Sequence, residues 1–98
     1  MEIIKEIEGE KLVVTINGRV DSSTAPALER DLLPTIKDVK SVVLQAANLA
    51  YISSAGLRVL LKIRKELPEG DSIIIRNMND SVKQILEMTG FEDMFVIE

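Results

Sequence analysis

Tyr51-Ile52-Ser53-Ser54-Ala55-Gly56-Leu57 decides the reading of this chain, because it sets two small hydroxyls where a strand-like run gives way to an amphipathic helix. With Ser53 as N-cap, Ile52 falls at N′ and Leu57 at N4, the positions whose apolar side chains meet as a hydrophobic staple. The same register puts Ser54 at the first helical position, its hydroxyl not needed for capping, and Gly56 at the third. A glycine in a first turn costs about 1 kcal/mol relative to alanine. Two explanations stay open: close approach of another backbone, or a helix start packed so tightly on a sheet that Ala55 and Gly56 have to be small. The chain has no His and no Cys to activate a nucleophile, so a serine that receives a group fits better than one that attacks.

Downstream, Leu57, Leu60, Leu61 and Arg64 share a predicted helical face that Ile63 and Leu67 widen, while Arg58, Lys62 and Lys65 line the opposite side. Pro68 and Gly70 are expected to stop this helix. Ser72-Ile73-Ile74-Ile75-Arg76 reads as a strand, and Asn79 as the cap of a helix with Val82, Ile85 and Leu86 as its apolar stripe. Gly90 closes that helix, and Met94 to Ile97 form a last short strand or a docked tail.

Upstream, Ser41-Val42-Val43-Leu44-Gln45-Ala46 is a compact apolar strand, expected at the centre of the sheet, followed by a loop over Ala47-Asn48-Leu49-Ala50. Ile3 to Ile7 and Leu12 to Ile16, separated by Glu8-Gly9-Glu10-Lys11, predict an N-terminal β-hairpin. Asn17 to Asp21 then leaves the second strand, and Ser22-Ser23-Thr24 offers N-cap candidates before Ala25-Pro26. The helix that follows carries Leu28, Leu32 and Ile36 on one face, with Pro34 expected to bend it or tighten its last turn. After the hairpin, alternating helices and strands imply parallel crossovers. The expected fold is α/β: a mixed, mainly parallel sheet of about four to five strands with about four helices, in one domain over residues 1–98.

Composition narrows the function. Ninety-eight residues with 46% hydrophobic content suit one core, built from aliphatic side chains because Tyr and Phe number only three and Trp is absent. A net charge of −4 and few aromatics argue against nucleic acid as a partner. The lack of Cys removes disulfides and thiolate metal sites, and is compatible with a cytoplasmic location. Without His, a zinc site would need carboxylates alone, and no metal or cofactor is expected. No apolar run exceeds four residues and the start Met1 to Glu6 lacks an export-signal layout, so no membrane insertion is expected.

Three stretches together resemble the bacterial anti-sigma factor antagonists, the single-domain form of the STAS fold. Gly18 to Leu28 is similar to that family's entry into its first helix, Tyr51 to Leu57 resembles its phosphorylation loop, and Asn77 through Met88-Thr89-Gly90-Phe91 resembles its final helix and stop. The resemblance implies a protein-binding module, not an enzyme. Its partner would be an anti-sigma factor that is also a serine kinase, which phosphorylates the antagonist and is thereby freed to hold sigma factor; a metal-dependent serine phosphatase resets the switch. By motif position Ser54 matches the phosphoacceptor, and Asp21 and Asn48 match acidic positions on the binding surface, with Ser53, Ala55, Gly56 and Arg58 around them. The family often has Asp-Ser-Ser/Thr-Gly where this chain has Ser53-Ser54-Ala55-Gly56, so Ser53 keeps a cap and loses a carboxylate.

Plainer roles stand beside these. Asp21 serves equally as a turn carboxylate satisfying backbone N–H groups, Asn48 as a loop residue tolerant of left-handed geometry, and Arg58, Lys62 and Lys65 as a solvated helix face. A competing function is an unswitched scaffold of the same fold, docked in a larger signalling assembly. A nucleotide hydrolase is a third reading, and no Gly-rich phosphate loop or His base supports it.

Overall fold

The structure is a computed structural model and describes residues 1–67 and 73–98. The expected stop at Pro68 and Gly70, and Ser72 at the start of a strand, lie outside the described residues. Strands β1 (Glu2–Glu8) and β2 (Lys11–Val20) form the predicted antiparallel hairpin, with Glu8 opposite Lys11 and Glu2 opposite Asn17. Helix α1 (Ala25–Leu32) and a 3-10 turn (Thr35–Asp38) lead to β3 (Ser41–Gln45). Strand β4 (Leu49–Ile52), helix α2 (Ser54–Glu66), β5 (Ile73–Arg76) and α3 (Asp80–Thr89) follow, and a 3-10 turn (Glu92–Met94) precedes β6 (Val96–Ile97).

The sheet runs β1-β2-β3-β5-β6, with β3 at its centre as expected and every pair beyond the hairpin parallel. Three crossovers therefore step across the sheet in the same direction. The right-handed sense of such connections puts all their helices on one face. Burial agrees: alternate strand residues Leu12, Val14, Ile16, Val42, Leu44, Ile73 and Ile75 share one cluster with Leu28 and Leu32 of α1, Leu57, Leu60 and Ile63 of α2, and Val82 and Leu86 of α3. Pro34 ends α1, as its missing N–H requires, and the chain re-forms as a 3-10 turn that still buries Ile36 beside Leu28 and Leu32.

Two expectations need correction on the strands. Leu49 and Ala50 are not loop: with Tyr51 and Ile52 they form β4, which pairs parallel with the far end of β2, Gly18 opposite Leu49 and Val20 opposite Ile52. Accordingly β2 does not end at Ile16, with Asn17 to Asp21 leaving it. It runs on to Val20 through an irregularity at Gly18/Arg19, where Gly18 adopts φ +96, and so serves β3 with its first half and β4 with its second. The count among the described residues is thus six strands, three α-helices and two 3-10 turns.

The face of α2 is also rotated from expectation. Val59 is buried with Leu57, Leu60, Ile63 and Leu67, whereas Arg64 is exposed and Leu61 half-buried. Packing against both the sheet and α1 widens the buried side beyond a single stripe. Helix α3 follows its sequence cues closely. The Asn79 carboxamide oxygen accepts from Val82 N at 2.8 Å, and Gly90 closes the helix at φ +76, a conformation that costs a glycine little.

Candidate functional site

The ends of β2 and β4 lie side by side, and the chain enters a helix from each. Ser53 N donates to Val20 O at 2.8 Å, which ties the start of α2 to the last residue of β2. Ser53 is extended and its Oγ accepts from Gly56 N at 3.3 Å, so it is the N-cap. Ile52 and Leu57 are both buried in the core, in the positions of the predicted staple. Ser54 opens the helix, exposed, with its hydroxyl in no hydrogen bond among the described residues.

Gly56 is small for packing reasons. A methyl there would lie 2.7 Å from Val20 Cγ1 and 2.8 Å from Ile52 Cγ1, closer than real side chains approach. Both neighbours are side chains, so the tight seat of the helix on the sheet accounts for the glycine, and approach of another backbone does not. Half-buried Ala55 packs against the same core.

Asp21 follows Val20 and organises the entry into α1. Its Oδ1 accepts from Ser23 N at 3.0 Å, Ser23 Oγ at 2.7 Å, Thr24 N at 3.1 Å and Thr24 Oγ1 at 3.3 Å, while Thr24 Oγ1 accepts from Asp21 N at 2.9 Å. This is the reciprocal bonding of a capping box, made one turn before the helix proper. The hydroxyl candidates Ser22, Ser23 and Thr24 are therefore not the cap: Thr24 precedes Ala25 without a side-chain cap bond, and Asp21 satisfies the N–H groups instead. The Ser23 hydroxyl, aided by the Thr24 and Ser23 amides, holds the Asp21 carboxyl below its usual range. Oδ2 has no partner among the described residues.

Asn48 stands apart. Its carbonyl takes the Gly18 N–H at 2.9 Å, at the beginning of β4, and it lies five residues before Ser53, about 16 Å along the strand. The structure brings Asp21, Ser53, Ser54, Ala55 and Gly56 together and leaves Asn48 at the other end of its strand.

On α2, Arg58 lies four residues after Ser54 and is exposed, so the two share one side of the helix. The basic stripe is interrupted at Lys62, which meets Glu29 of α1 at 2.8 Å; that carboxylate raises the lysine's pKa. A pair this exposed contributes little stability. One feature escaped the sequence: Arg19 sits over the Tyr51 ring at 4.5 Å, its cross-strand partner on β4. Only the pairing of β2 with β4 brings these two residues together. Among the described residues no group of three or more acidic side chains is arranged to hold a metal, and no helix is long and apolar enough to cross a membrane.

Two hydroxyl-bearing helix starts thus sit on paired strand ends, one bonded by a carboxylate and one by a serine. The STAS domain family matches residues 2–98, and the chain belongs to that family. Within it the chain groups with the anti-sigma factor antagonists. It is 34% identical over 88 residues to BtrV of Bordetella bronchiseptica, which carries that name, across 88% of this chain and 76% of the relative. The anti-sigma-B factor antagonist of Bacillus subtilis is 25% identical over 95 residues, 96% of this chain and 86% of the relative. Among solved structures, the antagonist SpoIIAA superposes with a TM-score of 0.84 in its unphosphorylated form, at 18% identity, covering 99% of this chain and 88% of that one. Its phosphorylated form gives 0.74 at 17% identity, covering 99% and 91%.

Proposed function

We propose that this protein is a cytoplasmic, non-enzymatic binding module that, unphosphorylated, sequesters an anti-sigma factor with serine kinase activity and is released when that kinase phosphorylates Ser54. A metal-dependent serine phosphatase would restore the binding form. The observation that carries this reading is the uncommitted Ser54 hydroxyl, exposed at the first position of α2 beside a Ser53 that does the capping. Asp21, Ser53, Ala55, Gly56 and Arg58 form the surrounding contact surface.

The energetics favour a switch over a structural lesion. A phosphoryl group on Ser54 adds about −1.5 to −2 charges at a helix N-terminus, where an anion is favoured by about 0.3–2 kcal/mol. The fold tolerates it. The same charge in a desolvated interface costs several kcal/mol, and each ~1.4 kcal/mol is tenfold in affinity.

Incubation with the cognate kinase and ATP is expected to add one phosphate, at Ser54, and to release the partner. Ser54→Ala is expected to stay bound. Phosphate mapped to another residue by mass spectrometry would sink the assignment. Equal retention of wild type and Ser54→Ala in the presence of ATP would instead favour an unswitched scaffold, the reading to which the missing carboxylate at Ser53 points.

A further inference from the structure

Asn17-Gly18 is the only Asn-Gly pair in the chain; Asn48, Asn77 and Asn79 precede Leu, Met and Asp. An asparagine before glycine is open to attack on itself, because no Cβ shields the following backbone nitrogen from the side-chain carbonyl. The reaction needs only water. Gly18 N gives its proton to solvent hydroxide and attacks Asn17 Cγ, the Cγ–Nδ2 bond breaks, and ammonia leaves with a proton taken back from water. Water then opens the resulting succinimide at either carbonyl and returns a proton to the nitrogen. One water enters and one ammonia departs, leaving aspartate or, with the backbone rerouted through Cβ, isoaspartate.

The fold closes this route at three atoms. Gly18 N, the nucleophile, donates to Asn48 O at 2.9 Å, the bond that begins the pairing of β2 with β4. Nδ2, the leaving group, donates to Glu2 Oε1 at 2.7 Å across the hairpin. Oδ1, where negative charge develops as the nitrogen adds, is buried with no donor among the described residues, and the same carboxamide already carries a carboxylate neighbour. Attack therefore waits for the Gly18 N–H to come free, which requires β4 to part locally from β2 at Leu49.

The products do not fit where the asparagine does. Aspartate loses the donor to Glu2 and sets a second carboxylate directly across the hairpin from the first. Isoaspartate adds a main-chain carbon immediately before Gly18, at the irregularity where β2 passes from β3 to β4. We propose that Asn17 is a latent deamidation site kept closed by the docking of β4, and that its conversion to aspartate or isoaspartate uncouples β2 from β4 and loosens the Val20–Ser53 bond that seats α2. This goes beyond the antagonist reading and stands whether or not that reading holds.

The test holds the full chain in mildly alkaline buffer, folded or unfolded in urea, and follows each asparagine by peptide mass spectrometry with an isoaspartyl assay. In urea Asn17 is expected to convert first of the four, with isoaspartate the larger product. The folded chain is expected to convert it at least about tenfold more slowly, the open fraction of β4 setting the ratio. Tyr51→Ala, which strips β4 of its stack against Arg19, should speed the folded reaction severalfold and leave the urea rate unchanged. Asn17→Asp, and isoaspartyl protein refolded from the urea reaction, should show a lower thermal midpoint and faster amide exchange at Gly18 and Ser53. Another asparagine converting first in urea would overturn the site, and equal rates in folded and unfolded chain would overturn its closure by β4. Products with the wild-type midpoint and exchange would overturn the uncoupling.

Discussion

The chain leaves β2 at Asp21 and β4 at Ser53, neighbours at the ends of paired strands, and enters a helix from each. At the first exit a carboxylate gathers three donors on one oxygen, with the Thr24 hydroxyl shared between it and Arg19 O, and is held in its turn. At the second a serine takes a single amide and leaves the next hydroxyl untouched. The first start is built for fixity and the second for access. Two adjacent helix starts thus differ in how far their polar side chains are committed, although both are rich in small hydroxyl residues in the sequence.

The comparison breaks most severely at Gly56. Gly56→Val is expected to destabilise the protein by about 1–3 kcal/mol in urea unfolding, because the added carbons meet Val20 and Ile52 in a packed core. A variant as stable as wild type would show that the seat of α2 yields easily. The Asp21 side is next. Its carboxyl pKa is lowered from 3.8 in the fold, so its contribution is complete above the unfolded value and fades as pH falls through the lower folded one. Asp21→Asn should lower the thermal midpoint at neutral pH and narrow its gap to wild type from about pH 5 downward. A constant gap would mean that the carboxylate's charge adds nothing to its hydrogen bonds.

The sharpest contrast lies between adjacent serines. Ser53→Ala removes a cap and is expected to cost about 1 kcal/mol, while Ser54→Ala is expected to change stability by less than about 0.5 kcal/mol. Equal losses in chemical denaturation would erase the division of labour.

Where local chemistry decides structure, the sequence was readable. Asn79 and Gly90 bracket α3 as their capping preferences dictate, the Leu12 to Ile16 alternation places β2, and the Ile52/Leu57 staple sets the register of α2. Where the deciding partner is distant, it was not. Leu49-Ala50-Tyr51-Ile52 is short, contains an alanine and acquires strand geometry only from the far half of β2, which Gly18 made look like a break. The Lys62–Glu29 pair and the Arg19–Tyr51 stack likewise depend on elements meeting in space. The Ser53 cap, the uncommitted Ser54 hydroxyl and the turn carboxylate of Asp21 were legible because capping is local. Asn48 precedes β4, at the other end of the strand from Ser53, and motif position says nothing of which end of a strand a residue occupies.

The irregularity at Gly18 also sets a parity. Leu49 and Ile52 are three residues apart, which a regular two-residue alternation assigns to opposite faces, yet both are buried in one core. The register jumps from Gly18 opposite Leu49 to Arg19 opposite Tyr51, and the skipped Ala50 is the odd count that restores phase. Everything downstream inherits that correction: Ile52 turns inward, Tyr51 turns outward beneath Arg19, and the Ser53 amide meets Val20 O. One unpaired alanine, four residues before Ser54, keeps that exposed serine in step with the rest of the sheet.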